Sequence, residues 1–179
     1  DLDAVPTLQS ARKGLAAMEA FQPDGIIGLG GGGALDAAKL MWYFYEHPEA
    51  ELQNMESAFL DIRKRIFKFP PSGKKAVFAA IATTAGSGAE NTPFALIVDE
   101  GTGFPHSVAD YELLPTVAIV DADNMMDLPK GLTRTSGIGV LAHGLEAYVS
   151  PFASDYTDGF ALLACRNVFR YLPRAYDRL

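Results

Sequence analysis

The stretch Gly25-Ile26-Ile27-Gly28-Leu29-Gly30-Gly31-Gly32-Gly33-Ala34-Leu35-Asp36-Ala37-Ala38-Lys39 decides the fold. Its first five residues form a short apolar run of the kind that fills buried parallel strands. Four glycines end the run, and from Ala34 to about Glu46 the sequence is compatible with a helix. Upstream, Leu8, Ala11, Leu15 and Met18 recur at helical spacing, with Pro6-Thr7 in front and Pro23-Asp24 behind, which predicts an amphipathic helix over Thr7 to Phe21. The order is therefore helix, strand, glycine turn, helix. Residues without a Cβ let backbone N–H groups come close to an anion, and the following helix N-terminus adds partial positive charge. Gly30, Gly31, Gly32 and Gly33 are accordingly candidate phosphate-binding residues.

Gly28, Gly30 and Gly33 satisfy G-x-G-x-x-G, but a four-glycine run does so easily. The acidic residue that would hold a ribose about twenty residues further on has no strand before it, since Glu49 and Glu51 lie in a polar segment. No Gly-Lys-Ser/Thr ending follows the turn, which argues against a P-loop NTPase.

A second cycle begins beyond the polar region His47 to Gly73. Ala76 to Ala82 reads as a buried strand and runs into Thr83-Thr84-Ala85-Gly86-Ser87-Gly88-Ala89-Glu90, a loop of hydroxyls and small residues. Phe94 to Val98 and Val117 to Val120 are two more β-type runs, closed by Asp99 and Asp121. Strands separated by helical segments and loops predict an α/β nucleotide-binding domain with a Rossmann-like parallel sheet. Ligands of such sheets sit at the carboxyl ends of the strands, where both loops fall. After Asp121 the strand pattern stops, and Thr133 to Leu179 reads as helices broken near Ser150-Pro151 and at Pro173. We place a domain boundary near Leu128-Pro129, giving a partial dinucleotide-binding domain over 1–128 and the start of a helical metal-binding domain over 129–179.

Composition narrows the function classes. With 49% hydrophobic and 21% charged residues, the 179-residue chain has enough apolar material for a packed core. A net charge of -7 argues against nucleic acid as a partner. The basic cluster Arg63-Lys64-Arg65 with Lys68 reads as a solvated helix face. One cysteine, Cys165, excludes an intrachain disulfide, fits a reducing cytoplasm and sits in an apolar helical stretch as a core residue. No apolar run reaches membrane-spanning length. The chain opens Asp1-Leu2-Asp3 without Met, so its natural start is expected upstream.

Together these segments resemble the iron-containing alcohol dehydrogenase family, whose signatures are a Gly-Gly-Gly-Ser-x-x-Asp-x-Ala-Lys turn and a Thr-Thr-x-Gly-Thr-Gly-Ser-Glu loop. Here they read Gly30 to Lys39 and Thr83 to Glu90. Trp42 to Glu49, Asp61 to Pro70 and Ala147 to Ser150 resemble the C-terminal half of the bifunctional aldehyde-alcohol dehydrogenases. The resemblance covers nearly all of the chain. It implies that the glycine turn holds the pyrophosphate of NAD with Asp36 near the cofactor, and that Thr83, Thr84 and Ser87 contact it from the second loop. It also implies hydride transfer between the nicotinamide and a small aldehyde or alcohol, with ferrous iron (Fe2+) polarising the carbonyl oxygen, and a homo-oligomer. An N-terminal part of the nucleotide domain, carrying the adenosine end of the site, is implied to precede Asp1.

The family's metal pattern begins Asp-x-x-x-His on the first helix of the helical domain, because residues four apart share a helix face. The matching positions are Gly139 and His143, so His143 is the candidate metal ligand and the aspartate position carries no donor. The two further histidines of the pattern would lie beyond Leu179. Neither His47 nor His106 takes their place, and Pro105 stands where related enzymes tend to have a lysine. On the residues alone, Ile138, Leu141, Ala142, Leu145 and Val149 form the apolar stripe of this helix. These departures imply that the fragment itself is inactive. They leave two alternatives open: a metal-free relative kept for structure or filament assembly, and a zinc polyol or sugar-phosphate dehydrogenase of the same superfamily.

Overall fold

The computed structural model describes residues 6–50 and 68–178. They form two compact units: the described residues up to Ala82 together with Gly88–Val120, and Thr83–Ser87 with Asp121 onward. The basic cluster at 63–65 and most of the Asp61 to Pro70 segment lie outside the described residues.

The first unit is built around a βαβ unit. Helix α1 (Leu8–Phe21) starts at a capping box in which Thr7 and Ser10 exchange side-chain and backbone hydrogen bonds, and it ends on Gln22 in the left-handed region. Strand β1 (Gly25–Gly30), helix α2 (Gly32–Glu46) and strand β2 (Val77–Ala82) follow. Strand β2 is central in a parallel sheet of order β1-β2-β5, where β5 is Val117–Val120. Its ladder pairs Gly25 with Val77 through Gly30 with Ala82, and Ala79 with Val117 through Ala82 with Val120.

Only one face of this sheet is packed. Ile26, Phe78 and Ala80 are buried and join Leu35, Ala38 and Trp42 of α2 in one core cluster. Gly28 makes that contact possible, because a Cβ there would stand 3.0 Å from both Ala38 Cβ and Phe78 Cε2. Ile27, Leu29, Val77, Val117 and Ile119 on the opposite face are exposed.

Helix α2 is apolar nearly all round, the signature of a helix with no solvent face. From Ala37 to Glu46 every residue is buried. One side lies on the sheet, while Leu40, Tyr43 and Phe44 pack with α1 residues and with Ala95, Ile97 and Val108. Each such large side chain contributes roughly 1.5–3 kcal/mol of burial free energy.

The last three residues named belong to a strand pair that departs from expectation. Phe94–Val98 (β3) is a strand, but it lies outside the parallel sheet and pairs antiparallel with β4 (Pro105–Ala109), matching Phe94 to Ala109 and Val98 to Pro105. The run Pro-His-Ser-Val-Ala has too little apolar alternation to read as a strand by itself. Its partner and the turn at Gly103, with φ of +68°, create it.

The second unit contains the threonine loop and two helices, α3 (Lys130–Tyr148) and α4 (Asp155–Arg178). Leu128-Pro129 falls inside it, just before α3. Two expectations are corrected. The stripe Ile138, Leu141, Ala142, Leu145 and Val149 does not form the packed face: Ile138, Leu145 and Val149 are exposed, while Gly137 and Gly144 are buried. Cβ atoms on those glycines would stand 2.5 Å from Leu172 Cδ1 and 2.7 Å from Cys165 Sγ, so the helices meet through small residues instead of the largest ones. Pro173 does not break α4 but sits inside it. Pro173 and Phe169 one turn earlier are exposed, so water can reach the carbonyl whose N–H partner proline removes. Among the described residues, no helix is long and apolar enough to cross a membrane.

The uncovered sheet face carries a test. The 179-residue chain is expected to bind the dye ANS strongly, and Ile27→Lys with Leu29→Lys should lower the emission by about threefold or more while circular dichroism stays unchanged. Equal emission from both proteins would place the accessible apolar surface elsewhere.

Candidate functional site

The glycine turn leads from the end of β1 into the first turn of α2. Gly30 has φ of +153°, and a Cβ on it would stand 2.6 Å from Ala34 Cβ. Gly31 is the N-cap of α2, with no side-chain cap hydrogen bond and no acidic residue in the first turn. The first turn of α2 therefore begins at Gly32 and Gly33 with no side-chain cap on its N–H groups.

Asp36 lies one turn further along, and the structure gives its carboxylate a defined partner. Its Oδ2 accepts a hydrogen bond from Leu96 N at 3.1 Å, and Oδ1 is 3.8 Å from Lys39 Nζ. Burial raises the Asp36 pKa above the ordinary carboxyl value, against the lowering effects of the Leu96 N–H and the Lys39 ammonium. Lys39 was not picked out as a functional residue from the sequence. It has no exposed area, and its ammonium donates to Thr92 O at 2.8 Å, Thr92 Oγ1 at 3.2 Å and Phe94 O at 2.8 Å. Glu46, at the other end of α2, is also buried and accepts from the N–H groups of Lys74, Lys75 and Ala76 at the entrance to β2. A lysine and a glutamate inside an otherwise apolar helix were the available signal, since buried charges need partners.

In the second unit Thr83 and Thr84 are half-buried and Ser87 is exposed. The loop lies against α3 at Gly86, where a Cβ would stand 2.8 Å from Ser136 Cβ. Gly86 is thus a positional requirement that its place in a loop did not reveal. Beside the loop, a cavity of about 540 Å3 is lined by Ala85, Thr133, Ser136, Val140, Tyr171 and Leu172 among others. Further along α3, His143 and Glu146 are exposed, and a Cβ on Gly139 would meet nothing within 4 Å.

A family model described as iron-containing alcohol dehydrogenase matches residues 1–122, and one for the C-terminal part of the same family matches residues 133–179. The chain belongs to the iron-containing alcohol dehydrogenase family. Among its relatives, the aldehyde-alcohol dehydrogenase of Clostridium acetobutylicum is 53% identical over 169 residues, covering 94% of this chain and 20% of that protein. The bifunctional aldehyde-alcohol dehydrogenase of Escherichia coli is 49% identical over 176 residues, covering 98% of this chain and 20% of that protein. A solved iron-containing alcohol dehydrogenase from Thermococcus thioreducens superposes with a TM-score of 0.88 at 30% identity, covering 99% of this chain and 46% of that one. The chain therefore spans a fifth of these curated relatives and just under half of the solved structure.

The family's iron does not fit the donors present. His143 is one imidazole on an exposed helix face, Gly139 offers no side chain, and no cluster of three or more His, Cys, Asp or Glu residues able to hold a metal occurs among the described residues.

Lys39 gives the site a pH signature. Burial lowers its pKa from 10.5 to about 8, opposed by the carboxylates of Asp36 and Glu90. Between those two values the unfolded chain binds more protons than the folded one, so stability rises with pH across that window. Urea denaturation from about pH 8 to about pH 10 should show a gain on the order of 1–3 kcal/mol that Lys39→Met lacks. Parallel curves for the two proteins would mean that the buried ammonium is not the titrating group.

Proposed function

We propose that this chain is the cofactor-binding portion of an NAD-dependent oxidoreductase that interconverts a small aldehyde and its alcohol, of the acetaldehyde and ethanol type. The observation that carries the reading is the N-terminus of α2, which lies within a run of four glycines and has no side-chain cap, in a chain 53% identical over 169 residues to an aldehyde-alcohol dehydrogenase. Gly30, Gly31, Gly32 and Gly33 would receive the pyrophosphate, Asp36 would lie near the cofactor, and Thr83, Thr84 and Ser87 would contribute hydroxyls from the second loop. A bound dinucleotide supplies the hydride. The chain's own part is to neutralise and orient the phosphates with backbone N–H groups and the dipole of α2. The protein is soluble and cytoplasmic on this reading, works as a homo-oligomer and has no nucleic-acid partner. With His143 as its single candidate ligand, the chain by itself holds no iron and turns over no substrate.

Titration with NADH, followed by cofactor fluorescence, should give saturable binding without oxidation when acetaldehyde is added. Gly32→Glu places a carboxylate in the first turn of α2, which favours the helix while competing with the phosphate. The variant should fold normally and bind NADH at least about tenfold more weakly. A native chain that shows no saturable NADH binding would sink the cofactor reading.

A second reading, a metal-free relative retained for assembly, is favoured by Gly139 in place of the family's aspartate. Open space around that position makes it testable. Gly139→Asp sets a carboxylate one turn before His143, and the pair should raise affinity for a divalent metal by about tenfold or more over the native chain, read by calorimetry. If affinity stays unchanged in the variant, Gly139 is not the position that cost the chain its metal.

A further inference from the structure

The threonine loop leaves β2 after Ala82 and returns to the first unit at Gly88. Its near root is held by the parallel ladder, where Ala82 pairs with both Gly30 and Val120. The far root has no ladder. Gly88 takes φ of +68° in the left-handed region, a short 3-10 helix covers Ala89–Asn91, and β3 begins only at Phe94. Asp110 N donates to Pro93 O, and α2 supplies further anchors. Ala89 is buried in the same cluster as Leu35 and Ala38, and the Lys39 ammonium spends all three of its protons on Thr92 O, Thr92 Oγ1 and Phe94 O. Asp36, one turn earlier, adds a bond to Leu96 N and an ion pair to Lys39.

We propose that Lys39, seconded by Asp36, is a positioning residue that clips the segment from Gly88 to Leu96 to the helix carrying the glycine turn, and that cofactor binding at that turn depends on the clip. The cofactor part of this inference rests on the reading given under Proposed function; the clip itself does not.

Two features set it apart from an ordinary buried ion pair. Lys39 bonds to the carbonyls of Thr92 and Phe94 where the chain enters β3, so the bonds tie the start of that strand to α2. An apolar residue of the same length would fill the same volume at lower desolvation cost, yet would leave Thr92 O and Phe94 O without these donors. The charged groups acting on the ammonium are Asp36 on its own helix and Glu90 on the 3-10 helix.

Hydrogen exchange of the whole 179-residue chain tests the clip without any cofactor. Lys39→Met, and the milder Thr92→Val that removes only the hydroxyl acceptor, should both speed amide exchange across Gly88–Leu96 by at least about tenfold relative to α1 and β2. The smaller change keeps the test available if Lys39→Met fails to fold. Unchanged exchange over Gly88–Leu96, or a uniform rise over the whole first unit, overturns the clip. NADH affinity then separates positioning from bulk stability. Where the native chain binds NADH, Thr92→Val should bind it several-fold more weakly at a temperature at which both proteins are fully folded, and equal affinity overturns the positioning role. A native chain that binds no NADH counts against the cofactor reading alone, with the exchange pattern still deciding the clip.

Discussion

Helix α2 has no solvent face, and that constraint organises the first unit. A helix buried on every side must present apolar residues around its whole circumference, and any charge it keeps must be answered by groups from other elements. Both conditions hold. Leu35, Ala38 and Trp42 meet the parallel sheet, and Leu40, Tyr43 and Phe44 meet α1 and the β3–β4 pair. The charges fall at three levels. At the N-terminus the amides of the glycine turn have no side-chain cap, Asp36 and Lys39 bind the chain between Thr92 and Leu96, and Glu46 binds the amides leading into β2. One helix thus fixes the entry to the central strand, the start of β3 and the glycine turn. These parts cannot shift independently without leaving a buried charge unpaired, which costs several kcal/mol.

Much of this was legible in the sequence because local pattern and tertiary role agree. The helix at Leu8–Phe21, the strands at Gly25–Gly30, Val77–Ala82 and Val117–Val120, and the glycine turn all follow from apolar spacing and punctuation. The β3–β4 pair was not legible in full, because β4 contains Pro105 and His106 and owes its extended shape to pairing with β3. Nor was the role of Lys39: the sequence motif ends on it without assigning it a function, whereas in the structure its ammonium bonds to Thr92 and Phe94. A lysine in a helix is ordinarily exposed, and only the apolar character of all its neighbours marks this one as buried.

The second unit shows the opposite relation between pattern and packing. Choosing the largest apolar residues of α3 gives a stripe through Ile138 and Leu145, but the helix contacts α4 through Gly137 and Gly144. Close approach of two helices favours small residues at the crossing, where a side chain would hold the axes apart, so size alone picks the wrong face. The exposed stripe remains as apolar surface on the other side. Periodicity therefore located α3 and misassigned its packed face, whereas Gly86, pressed against Ser136, was invisible to any periodic argument.

The glycines of the two units carry different weight as evidence of function. Gly28 and Gly30 are held by packing as well as by any ligand, since a Cβ at either would collide with Ala38, Phe78 or Ala34. Such positions resist change even in a descendant that has stopped binding a cofactor, so the glycine turn records the fold as much as the activity. Gly139 is the reverse case: its surroundings are open, and a side chain there would enter no core. Selection for packing says nothing at that position, and a ligand could be lost from it with the fold intact. Position 139 is therefore free of packing constraint, whereas positions 28 and 30 are not. For this reason, the presence or absence of a donor beside His143 tells more about present chemistry than the four glycines at the head of α2.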